Sequence, residues 1–123
     1  MILLFMIFFH IVDDYYLQGI LAKMKQRSWW EENAPKKLYK YDWVVALIMH
    51  SFSWAFMIML PIAYKVGFAL SSLFAIMFCV NVIIHGITDH LKANMKAINL
   101  IYDQAIHIGQ IILTFATATN YLF

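Results

Sequence analysis

The chain reads as an all-α integral membrane protein: a four-transmembrane-helix antiparallel bundle with a short basic and aromatic interfacial loop between the first two helices. Three observations predict this. Hydrophobic residues make up 63% of the 123 residues and charged residues 13%, with a mean hydropathy of +0.70; soluble domains hold about 45–50% and about 25%. The apolar residues fall into four stretches near the roughly 20 residues a helical span requires. The basic residues flank those stretches instead of forming a stripe on a water-facing surface, which excludes nucleic-acid binding. Residues 1–123 form a single domain, and any chemistry has to sit inside the bundle.

The first stretch, 1 to about 22, is wholly apolar over residues 2–9 and then carries His10, Asp13, Asp14 and Gln18. It lacks the basic start of a signal peptide and reads as a retained span. Composition changes abruptly over 23–41, with six basic residues, Glu31, Glu32, Pro35 and the aromatics Trp29, Trp30, Tyr39 and Tyr41. With Trp43 these aromatics fit a belt at headgroup level, and 23–33 fits a short interfacial helix before Pro35. The second span, 43–64, has no charge, one His50 and Pro61 near its end. A turn around Lys65 and Gly67 leads to the third span, 68 to about 91. Residues 92–96 connect it to the last, which begins near 97 and carries Asp103 and His107. Cys79 has no partner for a disulfide and reads as a small buried apolar residue.

Orientation follows from the loops. The first and third connections hold Lys23, Lys25, Arg27, Lys36, Lys37, Lys40, Lys92 and Lys96, eight of the nine basic residues, with Lys65 opposite. By the positive-inside rule those connections are cytoplasmic and both termini lie outside, in a multi-pass protein of the cell's inner (cytoplasmic) membrane.

Ionisable residues within spans default to a functional role. Here they recur with one spacing: His10 and Asp14, His85 and Asp89, Asp103 and His107 are each four apart and share a helix face. The order is His then Asp in spans one and three and reversed in span four, which runs the other way. Each Asp therefore lies one turn nearer the cytoplasm than its His. His50, about eight residues into span two, lies roughly 12 Å deep at about 1.5 Å per residue. The pattern predicts a His layer (His10, His50, His85, His107) beneath an Asp layer (Asp14, Asp89, Asp103). Three carboxylates at mid-helix would cost about 8–10 kcal/mol on insertion scales. Interhelical hydrogen bonds average about 0.6 kcal/mol each. A divalent ion, which takes neutral imidazole and carboxylate directly, offsets such a cost. The seven residues are the metal-ligand candidates for one or two ions. Zinc is the first choice and manganese, iron or nickel the alternatives. The Asp residues are also the candidate catalytic bases.

At the mouth, Lys92 and Gln18 are placed to meet a polar headgroup, and Gln104 lies beside Asp103. The alternatives are a snorkelling lysine and helix–helix hydrogen bonds. Asp13 and His90 are offset from the paired face and read as near-interface polar residues. Gly86 and Ala75 suit either internal packing or contact between copies in an oligomer.

At His10-Ile-Val-Asp-Asp14-Tyr-Tyr-Leu-Gln18 followed by Lys23, the isolated His50, His85-Gly-Ile-Thr-Asp89-His-Leu-Lys92 and Asp103-Gln104-Ala-Ile-His107, the chain resembles a bacterial and phage membrane family, domain of unknown function 3307. The resemblance covers nearly the whole chain and implies a four-helix membrane protein, but brings no established activity. More weakly, the His/Asp pattern is similar to membrane-bound metal-dependent hydrolases. The reading that results is an intramembrane metal-dependent hydrolase taking a phosphoester or lipid-like substrate from the cytoplasmic side. The alternatives are a metal or proton transporter or relay, and an accessory membrane protein with a structural metal site. Against transport, Ser71, Ser72 and Thr114 are the small polar residues the outer halves offer.

Overall fold

The computed structural model describes residues 1–69 and 71–123, and these are helical with no strand among them. Six α-helices follow in order: α1 (Ile2–Val12), α2 (Gly19–Met24), α3 (Arg27–Asn33), α4 (Asp42–Lys65), α5 (Ser72–Ala93) and α6 (Leu100–Tyr121). A π-helical turn, Asp13–Leu17, joins α1 to α2, and a 3₁₀ turn, Lys37–Tyr39, precedes α4. Leu70, within the third expected span, lies outside the described residues.

The helix ends have identifiable chemical causes. Ser71 accepts a hydrogen bond from the Phe74 N–H (3.2 Å) and Asn99 one from the Tyr102 N–H (3.0 Å), so each caps donors that its helix leaves free. At the end of α4, Gly67 takes φ +62°. The Gly67 N–H then reaches the Tyr64 carbonyl (3.1 Å) and the Phe68 N–H the Ala63 carbonyl (2.8 Å). That is a Schellman closure, for which a residue without Cβ is best suited.

The first span is not the uninterrupted helix the sequence reading expects. The Gln18 N–H bonds to the Asp13 carbonyl five residues back (3.1 Å), and Gly19 then turns at φ +43°. One extra residue in that turn rotates the residues on either side relative to an α-helix. The change in register brings Asp13, expected at the interface, to full burial.

The four long segments pack in a ring, α1 on α4, α4 on α5, α5 on α6 and α6 on α1. The pairs α4–α5 and α5–α6 are antiparallel. Across α4 and α5, Trp43 meets His90 and Met59 meets Asn81; across α5 and α6, Lys92 meets Asp103 and Asn81 meets Thr114. One half of the interior is apolar, centred on Met6, Ile58, Met59, Ile62, Met77 and Ile111. The other half is lined by His10, Asp13, His50, His85, Asp89, Asp103 and His107, all buried. Large apolar residues such as Phe8, Ile48, Phe52, Ile76, Ile83, Ile87 and Leu113 face outward. The stretch Lys37–Lys65 and helix α5 are long and apolar enough to cross a membrane. Cys79 faces outward, contrary to the buried role expected for it, in a groove with Phe56, Ala75 and Phe78.

Candidate metal centre

The site is assembled by helix periodicity. His50 and Trp54 on α4, Asn81, His85 and Asp89 on α5, and Asp103, His107 and Gln110 on α6 follow each other three or four residues apart and so share inward faces. The π turn carries Asp14 to the same place from the first segment.

Five of the seven candidate ligands converge. His50 Nε2 lies 3.1 Å from His85 Nε2 and 2.7 Å from Asp89 Oδ2. His85 Nε2 is 3.4 Å from that same oxygen, and His107 Nε2 is 3.5 Å from Asp89 Oδ1. Asp14 Oδ1 is 3.8 Å from His50 Nε2. Two overlapping groups result, Asp14–His50–His85 and His85–Asp89–His107, each with ligand atoms within 4.8 Å of one another. Zinc–ligand bonds of about 2.0–2.1 Å at tetrahedral angles separate the ligand atoms by about 3.3 Å. The spacings around His50, His85, Asp89 and His107 bracket that value. Both ring nitrogens of His107 and Asp14 Oδ1 have no hydrogen-bond partner, although each is buried. A neutral imidazole offers a lone pair at one of its two nitrogens, and that lone pair and Asp14 Oδ1 are what a bound cation would satisfy.

His10 and Asp103 stand outside these groups. The Trp54 indole N–H donates to His10 Nδ1 (2.8 Å), and His10 Nε2 pairs with Gln104 Oε1 (3.0 Å), so both ring nitrogens are engaged. The Asp103 carboxylate receives Lys92 Nζ (2.8 Å) and Gln104 Nε2 (3.0 Å), with His107 Nε2 3.4 Å away. Lys92 and Gln104 are thus tied to Asp103 and hold the second rank of the site. Gln18, expected at the mouth of the site, instead donates its side-chain N–H to Asp13 Oδ2, because the π turn makes a five-residue step the close one. Asp13 also accepts from Ser53 Oγ (2.8 Å). His90 stacks on Trp43 at 5.4 Å.

Several residues of the site go beyond the expected set. Trp54 forms its floor, stacked on His85 at 4.2 Å and tilted against His107 at 5.3 Å; its position four residues after His50 was available as a signal. Below it Asn81, Gln110 and Thr114 make a buried carboxamide–hydroxyl knot. Gln110 Nε2 donates to Asn81 Oδ1 (2.8 Å), and Asn81 Nδ2 donates to Thr114 Oγ1 (3.0 Å). The polar column of α5 and α6 therefore runs unbroken from the His layer down to Thr114, and stops against Phe74, Met77 and Ala118. Lys25 is the largest addition. Its Nζ lies 2.6 Å from Asp89 Oδ2 and 3.1 Å from His50 Nε2, and the sequence offers nothing to separate it from the other loop cations.

No family model, curated protein or solved structure matches the chain. The class that the described residues define is a helical protein with, among those residues, two helices able to cross a membrane and a buried His/Asp cluster able to hold a metal ion.

Proposed function

We propose that the chain is a four-span membrane protein and a metal-dependent hydrolase, acting on a phosphoester or lipid-like substrate from the cytoplasmic side. The membrane reading is supported by the inverted distribution of polarity, with apolar side chains outside and His, Asp, Asn and Gln inside. Helix α6 has 22 residues, about 33 Å at 1.5 Å per residue, against a hydrocarbon core of about 30 Å. What lowers its hydropathy is the inward set Asp103, His107, Gln110 and Thr114, while Ile101, Ile112 and Leu113 face out. Residues 2–24 are equally long but bent at the π turn. The loop charges favour cytoplasmic first and third connections, with both termini outside. The resemblance to the domain of unknown function 3307 family agrees with this architecture.

The observation that carries the catalytic reading is a surplus of donors. The two overlapping groups share His85 and together offer five donors, one more than the four that close a structural tetrahedral site. Asp14 is a fifth donor. Its side chain is 12% exposed, it stands at the partly open edge of the cluster, and its Oδ1 is unpartnered. A divalent ion here, zinc first, would supply Lewis acidity and lower the pKa of a water molecule within its reach. Asp14 is positioned to take the proton, and Trp54 with the apolar half beyond it keeps bulk water from the rear of the site. The polar column's end at Phe74, Met77 and Ala118 counts against a conduit.

The test is metal analysis of detergent-purified protein alongside hydrolysis of a chromogenic phosphodiester. Wild type should hold metal, and Asp89→Ala should lose it. Asp14→Asn should keep the metal and lose about 10²–10⁴-fold in rate, the usual weight of a general base. Metal retained with every variant inactive to the same degree as wild type would leave the saturated, structural reading in its place.

A further inference from the structure

We propose that Lys25 is the anion-binding residue of this site and that it selects a singly charged phosphate oxyanion, of the kind a phosphodiester presents. The proposal rests on the metal reading above and adds the substrate's charge and the residue that meets it.

The placement of Lys25 is built into the fold. Its carbonyl accepts from Asn94 Nδ2 (3.1 Å), and the Arg27 N–H two residues on donates to Asn94 Oδ1 (2.7 Å). One carboxamide beyond the end of α5 thus grips the backbone on both sides of the turn. The Trp30 indole N–H fixes the preceding carbonyl of Met24 at 2.7 Å. From that fixed backbone the side chain, 15% exposed, reaches inward and sets its ammonium on Asp89 and His50.

Those two atoms are also ligand atoms. An imidazole nitrogen has a single lone pair, so His50 Nε2 serves either the ammonium or an ion, not both. A metal entering the donor set therefore displaces Lys25 from His50 and takes charge from Asp89. Charge counting then fixes what the site accepts. With neutral imidazoles, a divalent ion is balanced by Asp14 and Asp89. Lys92 remains paired with Asp103, and the buried Asp13 carboxylate is held by Gln18 and Ser53 outside the donor set. The Lys25 charge is left uncompensated beside the ion, tethered by the Asn94 grip, in surroundings where an unpaired charge is costly. Among the ion, Asp14, Asp89 and Lys25, one anionic oxygen restores neutrality, whereas a dianion overshoots and a cation is repelled. Ammonium-to-phosphate hydrogen bonds are of the strong, charge-assisted kind.

The test uses full-length protein in detergent, with and without zinc, and two probes: dimethyl phosphate, a monoanionic diester, and inorganic phosphate, both at a pH above the second ionisation of phosphate, where the latter is a dianion. Metal content, probe affinity and acylation of Lys25 by an amine reagent are read separately. In wild type, zinc should raise Lys25 acylation several-fold and dimethyl phosphate should suppress it again. Lys25→Met should keep wild-type zinc stoichiometry and bind dimethyl phosphate about tenfold or more weakly, and Lys25→Arg should retain most of the affinity. Dimethyl phosphate bound in preference to inorganic phosphate supports a diester such as a lipid headgroup as the source; the reverse overturns the single-charge assignment. Zinc bound at full stoichiometry with affinity indifferent to Lys25→Met, or with Lys25 acylation unchanged on loading, overturns this proposal alone. Failure of wild type to take up any ion overturns the metal reading and this one together.

Discussion

The two halves of the bundle are held together by different forces. In the apolar half, Met6, Ile58, Ile62 and Ile111 meet with no side-chain polar atom to satisfy. In a bilayer such a core gains little from solvent exclusion, because lipid tails are as apolar as the side chains, and its cohesion is van der Waals packing. In the other half the side chains converge on Asp89, which meets His50, His85, His107 and Lys25. Each group there is costly unless its partners are present. The lesson is an asymmetry of failure: a packing defect degrades one half gradually, whereas loss of one partner in the other strands a charge.

Trp54 joins the two halves and gives the largest expected effect. Trp54→Ala removes the stack on His85 and the hydrogen bond to His10, and opens a cavity under both. The expected loss is about 3–5 kcal/mol, the range for large aromatic truncations, accompanied by weaker metal retention. Thermal unfolding in detergent and metal analysis check it together. Ile58→Ala, in the apolar half, should cost about 2–5 kcal/mol by the same measurement while leaving metal content untouched. If the two variants lost metal equally, the halves would be one cooperative unit and the contrast would fail.

Asn81 sharpens the boundary between the halves. It is bound to Gln110 and Thr114 but to no member of the donor set. Asn81→Ala removes the Thr114 partner and one of the two Gln110 acceptors, while Gln110 Nε2 keeps the backbone carbonyl of residue 81 (2.9 Å). The expected cost is about 1 kcal/mol, between the membrane average near 0.6 and the upper values near 1.7, with zinc affinity unchanged. A drop in zinc affinity would mean that the carboxamide knot orients His85 and His107 and belongs to the site.

What the sequence made legible follows one rule. The helical character of the chain and the shared faces of His85 with Asp89 and of Asp103 with His107 come from the 3.6-residue period, and that period also held signals left unread: Trp54 four after His50, Asn81 four before His85, Gln110 three after His107. Residues fixed by departures from the period were illegible. Asp13 is buried because a π turn inserts one residue, and nothing in Asp-Asp-Tyr-Tyr-Leu announces that turn. Lys25 enters the site through a backbone grip from Asn94, 69 residues away, and looks from the sequence like any other loop cation. His10, with its i+4 partner Asp14, matched the pattern yet is engaged by Trp54 and Gln104, contacts that belong to tertiary packing rather than to spacing.

The smallest effect tests whether charge matters because of its sign or because of its surroundings. Arg27 and Glu31 form a pair at 2.9 Å that is as short as many in the site, yet both side chains are 62% exposed. There the interaction is screened by water and salt, and the side-chain entropy spent on holding two long chains together offsets most of what is gained. Glu31→Gln should therefore shift stability by less than about 0.5 kcal/mol and leave zinc and dimethyl phosphate binding alone. Asn94→Ala, at a side chain that meets the Arg27 N–H at 2.7 Å in space and carries no charge, should weaken dimethyl phosphate binding more than Glu31→Gln does, because it releases the backbone that aims Lys25. If instead the exposed ion pair proved the more important of the two, the loop would act through its net charge, and the contrast between a screened surface and a partner-dependent interior would not describe this protein.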